Sequence, residues 1–377
     1  MKLVFASDCI KYPLTGIGRY ALELATQLET NAEIKTLHYL NGRHLVEHLP
    51  VPNENGAVEP RVRSVLRKNP IITSAYRYIY PWLKSRAINQ ATDAVFHSPN
   101  YFLPPNVDHA IATFHDLSIF TWPECHPADR IKFMRKEMLL SLKRADRLLT
   151  ISEFSRQEIA NYFNYPLDKI DTTPLASSGQ FYPRSESETA ELMQRVGLKH
   201  GKYCLYTGTI EPRKNIVTLL DAYEKLPISI RDHYPLVLCG YAGWGSEEIH
   251  LRFKRGEHEG WIKYLGYVAS QDLPLLFAGA NTFLFPSLYE GFGLPVLESM
   301  SSGVPVVCSN AASLPEVVGD CALMCEPMDV DGFSHAIQRA IEDNVWRRRA
   351  MDLGISQSKK FSWARCAEET VSAYKKL

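Results

Sequence analysis

Short β-branched and aromatic runs alternate with segments of helical period along almost all of this 377-residue chain. The alternation restricts the fold more than any other feature, because it is the pattern of parallel strands joined by helical crossovers. In the first half it predicts strands over Lys2–Ser7, Ile34–Leu40, Ala94–His97, His109–Phe114 and Arg147–Ile151. Helices are predicted over Ile17–Glu29, Ala128–Arg144 and Glu153–Phe163, the last with Ser152 as its N-cap. In the second half the strands are Tyr203–Thr207, Leu236–Cys239, Ile262–Leu265, Thr282–Phe285, Val304–Cys308 and Ala322–Cys325, with Pro295 set to open a helix. At ~150 residues per domain the length calls for two or three units. The run Thr172–Pro183 is small, polar and bracketed by prolines, so it is read as a linker. The expected fold class is α/β, with two Rossmann-like lobes over residues 1–174 and 184–360 facing each other across a cleft. The amphipathic stretch 361–377 is expected to pack back on the first lobe.

Charge and cysteine usage narrow the function. Forty-two basic and 42 acidic residues cancel, which argues against bulk attraction to nucleic acid. No run reaches the ~20 apolar residues of a membrane span, and the start Met1–Asp8 turns acidic too soon for a signal peptide. The eight cysteines lie mostly inside apolar runs without metal-ligand spacing, the usage of buried reduced thiols in a cytoplasmic protein. No structural metal is expected. Asp329-Val330-Asp331 precedes a helical run and is read as a cap rather than a cation site.

Residues 61–86 stand apart. Arg61, Arg63, Arg67, Lys68, Arg77, Lys84 and Arg86 occur with no acidic residue among them, interleaved with Tyr76, Tyr78, Tyr80 and Trp82. Two readings are open for this stretch: a solvated basic face, or a surface seated on anionic lipid headgroups.

Two motifs of the second half carry the strongest chemistry. Glu290-Gly291-Phe292-Gly293-Leu294-Pro295 follows a strand and opens a helix, so its backbone N–H groups face outward where hydroxyl or phosphate oxygens bind. Glu290 guards that loop and Glu298 lies about one turn into the helix, each able to accept two hydroxyl protons. Arg213-Lys214 follows the first strand of the second half, at the carboxyl edge where α/β sheets hold ligands. Side by side they can neutralise a diphosphate. In the first half, Gly16-Ile17-Gly18-Arg19-Tyr20-Ala21 fits G-x-G-x-x-A. A nicotinamide site is rejected, since the glycines do not follow directly on the strand and the second strand ends without an acidic residue. A glycine loop close to a ligand in the cleft is retained. His115 ends a strand and is placed to hydrogen-bond a substrate.

Together these segments resemble the retaining GT-B glycosyltransferases of family 4. The resemblance rests on Glu290 and Glu298 in E-x7-E, on Gly208-Thr209-Ile210-Glu211-Pro212-Arg213-Lys214-Asn215, on the N-terminal glycine pair, on His115-Asp116 and on Ser152-Glu153-Phe154-Ser155. It covers nearly the whole chain and is weakest over residues 41–90. His97-Ser98-Pro99-Asn100 and Thr113–Ser118 look like bacterial O-antigen mannosyltransferases.

The resemblance implies an acceptor-side first lobe and a nucleotide-sugar-binding second lobe. It implies that Arg213 and Lys214 grip the donor diphosphate and that Glu298 takes the ribose. Glu290 and the amides of Gly291, Phe292, Gly293 and Leu294 hold the sugar, His115 reaches a sugar hydroxyl, and Gly16 and Gly18 let the first lobe approach the phosphates. The donor it implies is a GDP-sugar carrying mannose or a 6-deoxy-mannose, used without a metal or other cofactor. The acceptor is a polyprenyl-linked saccharide at the inner face of the inner membrane, with Arg61 to Arg86 and Trp82 near the bilayer. Competing readings are a UDP-sugar donor, a non-transferring epimerase and a non-catalytic sugar or lipid-headgroup binder. Where many relatives have Gly-Val-Asp this chain has Leu175-Ala176-Ser177-Ser178-Gly179, so no contact is assigned there.

Overall fold

The computed structural model describes residues 1–49 and 80–377. Its thirteen strands are β1 (Lys2–Ala6), β2 (Thr36–Asn41), β3 (His44–Val46), β4 (Ala94–Ser98), β5 (Ala110–Phe114), β6 (Arg147–Thr150), β7 (Ile170–Thr172), β8 (Cys204–Thr207), β9 (Leu236–Cys239), β10 (Ile262–Gly266), β11 (Thr282–Phe285), β12 (Val306–Ser309) and β13 (Ala322–Cys325). They form two sheets, ordered β3-β2-β1-β4-β5-β6-β7 and β10-β9-β8-β11-β12-β13. Every pairing is parallel except β2 with β3.

The strand order reverses direction at β1/β4 in one sheet and at β8/β11 in the other. Loops leaving neighbouring strands there diverge to opposite faces, opening a crevice beyond the carboxyl ends. Both crevices are therefore fixed by topology before any side chain is considered.

Burial follows the two-residue period of a strand covered on both faces. Leu3 and Phe5 of β1 join one core, whereas Val4 and Ala6 join another with Phe96, Ala112 and Phe114. Four helices bear on the site: α1 (Gly16–Glu29), α2 (Glu153–Phe163), α3 (Leu294–Ser301) and α4 (Trp363–Tyr374). Ser152 caps α2 as expected, its hydroxyl oxygen accepting from Ser155 N at 3.1 Å. In α4, Trp363, Cys366, Ala367, Thr370, Val371 and Tyr374 form the buried stripe, and the helix packs on α1, β6 and β7. Tyr374 Oη meets His97 Nδ1 at 2.6 Å, and Lys375 pairs with Glu33 at 3.1 Å. The chain thus returns to the first lobe, as its amphipathic end predicted.

Several boundaries differ from the sequence reading. The hairpin partner β3 was not anticipated; it is joined to β2 by a tight turn with Gly42 at φ 64°. His109 lies outside β5 at φ 53°. β12 starts at Val306 rather than Val304, and β7 precedes the linker. Between Thr172 and Glu186 no residue is helical or extended in a sheet, yet Leu175, Ala176 and Phe181 are buried. That segment is pinned rather than loose.

Candidate functional site

Beyond β8 the chain makes a short 3-10 turn over Pro212–Lys214, started by Pro212 and ended by Asn215 at φ 55°. Asn215 Nδ2 donates to the carbonyls of Pro286 (3.0 Å) and Pro327 (2.6 Å), tying the turn to the loop after β11. Arg213 and Lys214 are thereby aimed at Glu290. Lys214 Nζ lies 2.5 Å from Glu290 Oε1 and Arg213 Nη1 lies 3.1 Å from Oε2. Arg213 also donates to the Tyr289 carbonyl at 2.5 Å and to Glu211 Oε1 at 2.9 Å. Ser313 Oγ fixes the loop by donating to the Glu290 carbonyl at 2.9 Å.

Glu290 is buried, and Arg213 and Lys214 are part-buried, each side chain 12% exposed. Burial alone raises a carboxyl pKa, but the Lys214 ammonium and then the Arg213 guanidinium outweigh it and hold Glu290 down to about 2. Burial and the neighbouring Arg213 charge lower Lys214. Burial opposes the charge on Arg213 as well, but Glu290, Asp116 and Glu211 together raise it. The two cations are thus already balanced by Glu290 and Glu211. One donor is left over: Arg213 Nε is buried and has no acceptor among the described residues.

Glu298, at the second position of the E-x7-E pair, meets Arg19 of α1. Arg19 Nη1 is 2.6 Å from Glu298 Oε1, an ion pair between the lobes. Burial pushes the Glu298 carboxyl up to about 7 against the pull of Arg19. The loop between the two glutamates holds its form through Gly293, at φ 101°, where a Cβ would also stand 2.5 Å from Leu314. Helix α3 begins at Leu294, so Pro295 occupies its second position and not its first. Phe292 is buried against Phe361 (5.7 Å, 82°); only its backbone is left for a ligand.

From the first lobe, His115 Nε2 donates to the Pro99 carbonyl at 2.8 Å, leaving Nδ1 as the acceptor nitrogen. Tyr20 and Tyr101 meet the ring edge-on at 5.1 and 5.5 Å. Burial lowers its pKa, so the ring is neutral at pH 7. Asp116 Oδ1 accepts from Ser118 N and Oγ at 3.0 and 2.8 Å. Tyr289 crosses from the second lobe, accepting from Leu117 N at 3.0 Å and donating to the Glu158 carboxylate. Glu316, also of the second lobe, accepts from Glu153 N (2.9 Å) and Phe154 N (3.1 Å) at the start of α2. It adds a carboxylate where the helix dipole favours one.

The glycine pair is helical rather than a loop. Gly16 opens α1 and has open space around it, while Gly18 is buried, with a Cβ position 2.9 Å from the Cys9 carbonyl oxygen. Lys84 pairs with Asp8 beside a cavity of about 160 Å³ that Ser98, Asn100 and Glu137 also line. Trp82 and Arg86 are exposed. Arg61, Arg63, Arg67, Lys68 and Arg77 lie outside the described residues. Asp329 caps the following helix by accepting from Gly332 N at 2.8 Å. Tyr241 and Tyr267 follow β9 and β10, are exposed, and stack at 4.8 Å and 19°.

Sequence reasoning missed Arg19, Glu158, Glu211, Tyr289 and Glu316. Arg19 and Glu211 stood inside quoted motifs, but their partners are distant in sequence or unmarked by spacing. Tyr289 adjoins Glu290, and nothing local marks it as a contact across the cleft.

A family model described as "Glycosyl transferases group 1" matches residues 188–356. Over its whole length the chain is 48% identical, across 381 aligned residues, to O-antigen chain mannosyltransferase B of Escherichia coli, which it also covers completely. The chain belongs to the group 1 glycosyltransferases. This glycosyltransferase is also 30% identical over 397 residues to serotype-specific mannosyltransferase WbdA of Escherichia coli, with 96% of this chain aligned to 46% of that longer protein. Among solved structures it resembles Anabaena HepE crystallised with UDP-glucose (TM-score 0.73, 18% identity, full coverage of both chains). It resembles equally WaaG, a glycosyltransferase involved in lipopolysaccharide biosynthesis (TM-score 0.72, 14% identity, 98% of each chain). The fold is GT-B, as the sequence implied.

Proposed function

We propose that this glycosyltransferase moves mannose, or a 6-deoxy-mannose, from a GDP-sugar to a polyprenyl-linked saccharide during assembly of a bacterial O-antigen, retaining anomeric configuration. Full-length identity to an O-antigen chain mannosyltransferase supports the sugar and the polymer. The observation that carries the chemistry is the Arg213–Lys214–Glu290 cluster at the β8/β11 crevice, with one Arg213 donor still unclaimed.

In this reading the donor diphosphate draws Lys214 and Arg213 away from Glu290, Arg213 as a planar fork and Lys214 as a point charge. Glu290, held as a carboxylate, turns to the hydroxyls of the sugar. Glu298 exchanges Arg19 for the ribose diol. The amides of Gly291, Phe292, Gly293 and Leu294 add dipoles where negative charge collects. His115 accepts a sugar hydroxyl at Nδ1, and the helix turn at Gly16 and Gly18 brings α1 close to the phosphates. The Tyr241–Tyr267 stack, past the ends of β9 and β10 on the β8 side of the crevice, offers a flat face to the base.

The glycosidic bond to phosphate breaks on the face where the acceptor enters, and the departing phosphate takes the acceptor hydroxyl proton. The main task is then stabilising the leaving diphosphate, and side-chain cations supply that without a metal ion. Among the described residues no helix is long and apolar enough to cross a membrane. In this reading the lipid-linked acceptor is met at the inner face of the bilayer.

The test is a donor panel by thermal shift followed by product analysis. GDP-mannose or a GDP-6-deoxy-mannose should raise the melting temperature by mass action and give a product with the donor's anomeric configuration by NMR. Stabilisation by UDP-sugars alone, or an inverted product, would overturn the reading.

A further inference from the structure

The lobes also meet beside Arg213. The turn that carries this residue is tied to the segment after β9. Ile210 N donates to the Tyr241 carbonyl at 2.9 Å, and Gly243 N donates to the Ile210 carbonyl at 3.0 Å. Those bonds set the place of Trp244, whose indole N–H donates to the Cys125 carbonyl of the first lobe at 2.6 Å. The Arg130 guanidinium lies 5.3 Å from the centroid of the indole, in cation–π range. The His126 ring lies beside the same indole, with centroids 6.1 Å apart and planes tilted by 34°.

The protons around His126 follow from its partners. The Ser118 hydroxyl gives its one hydrogen to Asp116 Oδ1 at 2.8 Å. Its oxygen, 3.0 Å from His126 Nε2, can then only accept, so Nε2 carries the imidazole proton. Burial and the nearby Arg130 charge lower the His126 pKa, which leaves Nδ1 as a bare lone pair at pH 7. That nitrogen is buried and has no partner among the described residues. A buried acceptor is costly to leave unfilled. The charges of Asp116, Arg213 and Glu211 also act on the ring, so His126 belongs to the Arg213 side of the crevice. A phosphate oxygen suits the unclaimed Arg213 Nε but brings no hydrogen to a bare imidazole nitrogen. A sugar hydroxyl does.

We propose that His126 Nδ1 accepts a hydrogen bond from a hydroxyl of the sugar substrate, other than the one met by His115. Ser118 and Asp116 are positioning residues that hold the ring in the tautomer this requires. The contact rests on the transfer reading, and its hydroxyl belongs to the donor sugar or to the acceptor saccharide.

Two substitutions separate this role from a structural one. His126→Gln keeps an N–H for Ser118 and loses the acceptor at Nδ1. His126→Asn keeps an oxygen near the place of Nδ1 and loses the bond to Ser118. With a donor and a soluble acceptor that the unaltered enzyme converts, the Gln variant should raise KM for one substrate roughly tenfold. KM for the other should hold, and the substrate affected is the one that carries the hydroxyl. The Asn variant should recover most of the loss. If either variant melts early, a crystal structure of the unaltered enzyme with donor and acceptor analogue serves in its place. It should show a sugar oxygen within about 3.2 Å of Nδ1. Unchanged KM values in the Gln variant, normal KM values in Gln with loss in Asn, or a water at Nδ1 in that complex would overturn the contact. Transfer by the unaltered enzyme is measured in the same assay, so any of these results would leave the transfer reading standing.

Discussion

The α-carbon of Gly291 faces the carbonyl oxygen of His115 so closely that a Cβ added there would stand only 2.0 Å from it. The Glu290–Leu294 loop of one lobe therefore seats directly on the strand end of the other, and only glycine permits that approach. Gly291→Ala should hold the lobes apart. We expect transfer to fall at least about a hundredfold with unchanged circular dichroism and a larger radius of gyration in solution scattering. Normal transfer would mean that the lobes need not meet at this point.

In the proposed reaction Lys214 and Arg213 receive the leaving diphosphate. Lys214→Ala should lower kcat by roughly 10²–10³-fold, the scale of losing one aimed charge stabiliser, and should weaken donor binding in calorimetry. Glu290 keeps Arg213 as a partner at 3.1 Å in this variant, so the fold should survive. A near-normal rate at saturating donor, for this variant or for Arg213→Ala, would remove the assignment.

Stability should fall as pH rises through the range between the usual carboxylate value and neutrality. Burial pushes Glu158 up to about 7, even though the Tyr289 hydroxyl donates to it and pulls the other way. A folded-state pKa above the unfolded value favours the protonated form. Its contribution is thus complete below ~4.3 and lost by about pH 7. After solvent screening the swing amounts to up to ~2 kcal/mol. Melting temperatures recorded from pH 5 to pH 8 should decline, and Glu158→Gln should flatten that slope.

The hydroxyl of Tyr374 is the one polar group by which α4 reaches His97, whose other ring nitrogen meets Thr113 Oγ1 at 2.9 Å. Burial holds the His97 pKa down to about 3, so the ring stays neutral and needs both partners. Tyr374→Phe leaves a buried nitrogen unpaired, a cost of ~1–3 kcal/mol. Thermal unfolding should begin several degrees lower. An unchanged melting curve would show that α4 docks through its apolar stripe alone.

The architecture was legible because both sheets are covered on each face, so their strands read as short apolar runs between amphipathic helices. The strand-end motifs were legible for a related reason: in such sheets polar residues just past a strand face the crevice. What could not be read was pairing. Lys214 and Glu290 are 76 residues apart and Arg19 and Glu298 are 279 apart, distances over which spacing carries no information. The sequence therefore suggested two free cations, whereas the fold supplies each with a carboxylate. Phe292 likewise sits in a loop that points at ligands, but its side chain found a place beside Phe361 that no local pattern announces. The three-residue β3 was too short to show an alternation.

Because α4 returns to the first lobe, the backbone passes between the two lobes twice, once after β7 and once just before Trp363. Two tethers near each other leave rotation about the line joining them as the easy motion and resist sliding or twisting. Arg19 with Glu298, Tyr289 with Glu158 and Glu316 with α2 would then come apart in one swing. The enzyme would open like a book, on a spine that includes its own C-terminal residues.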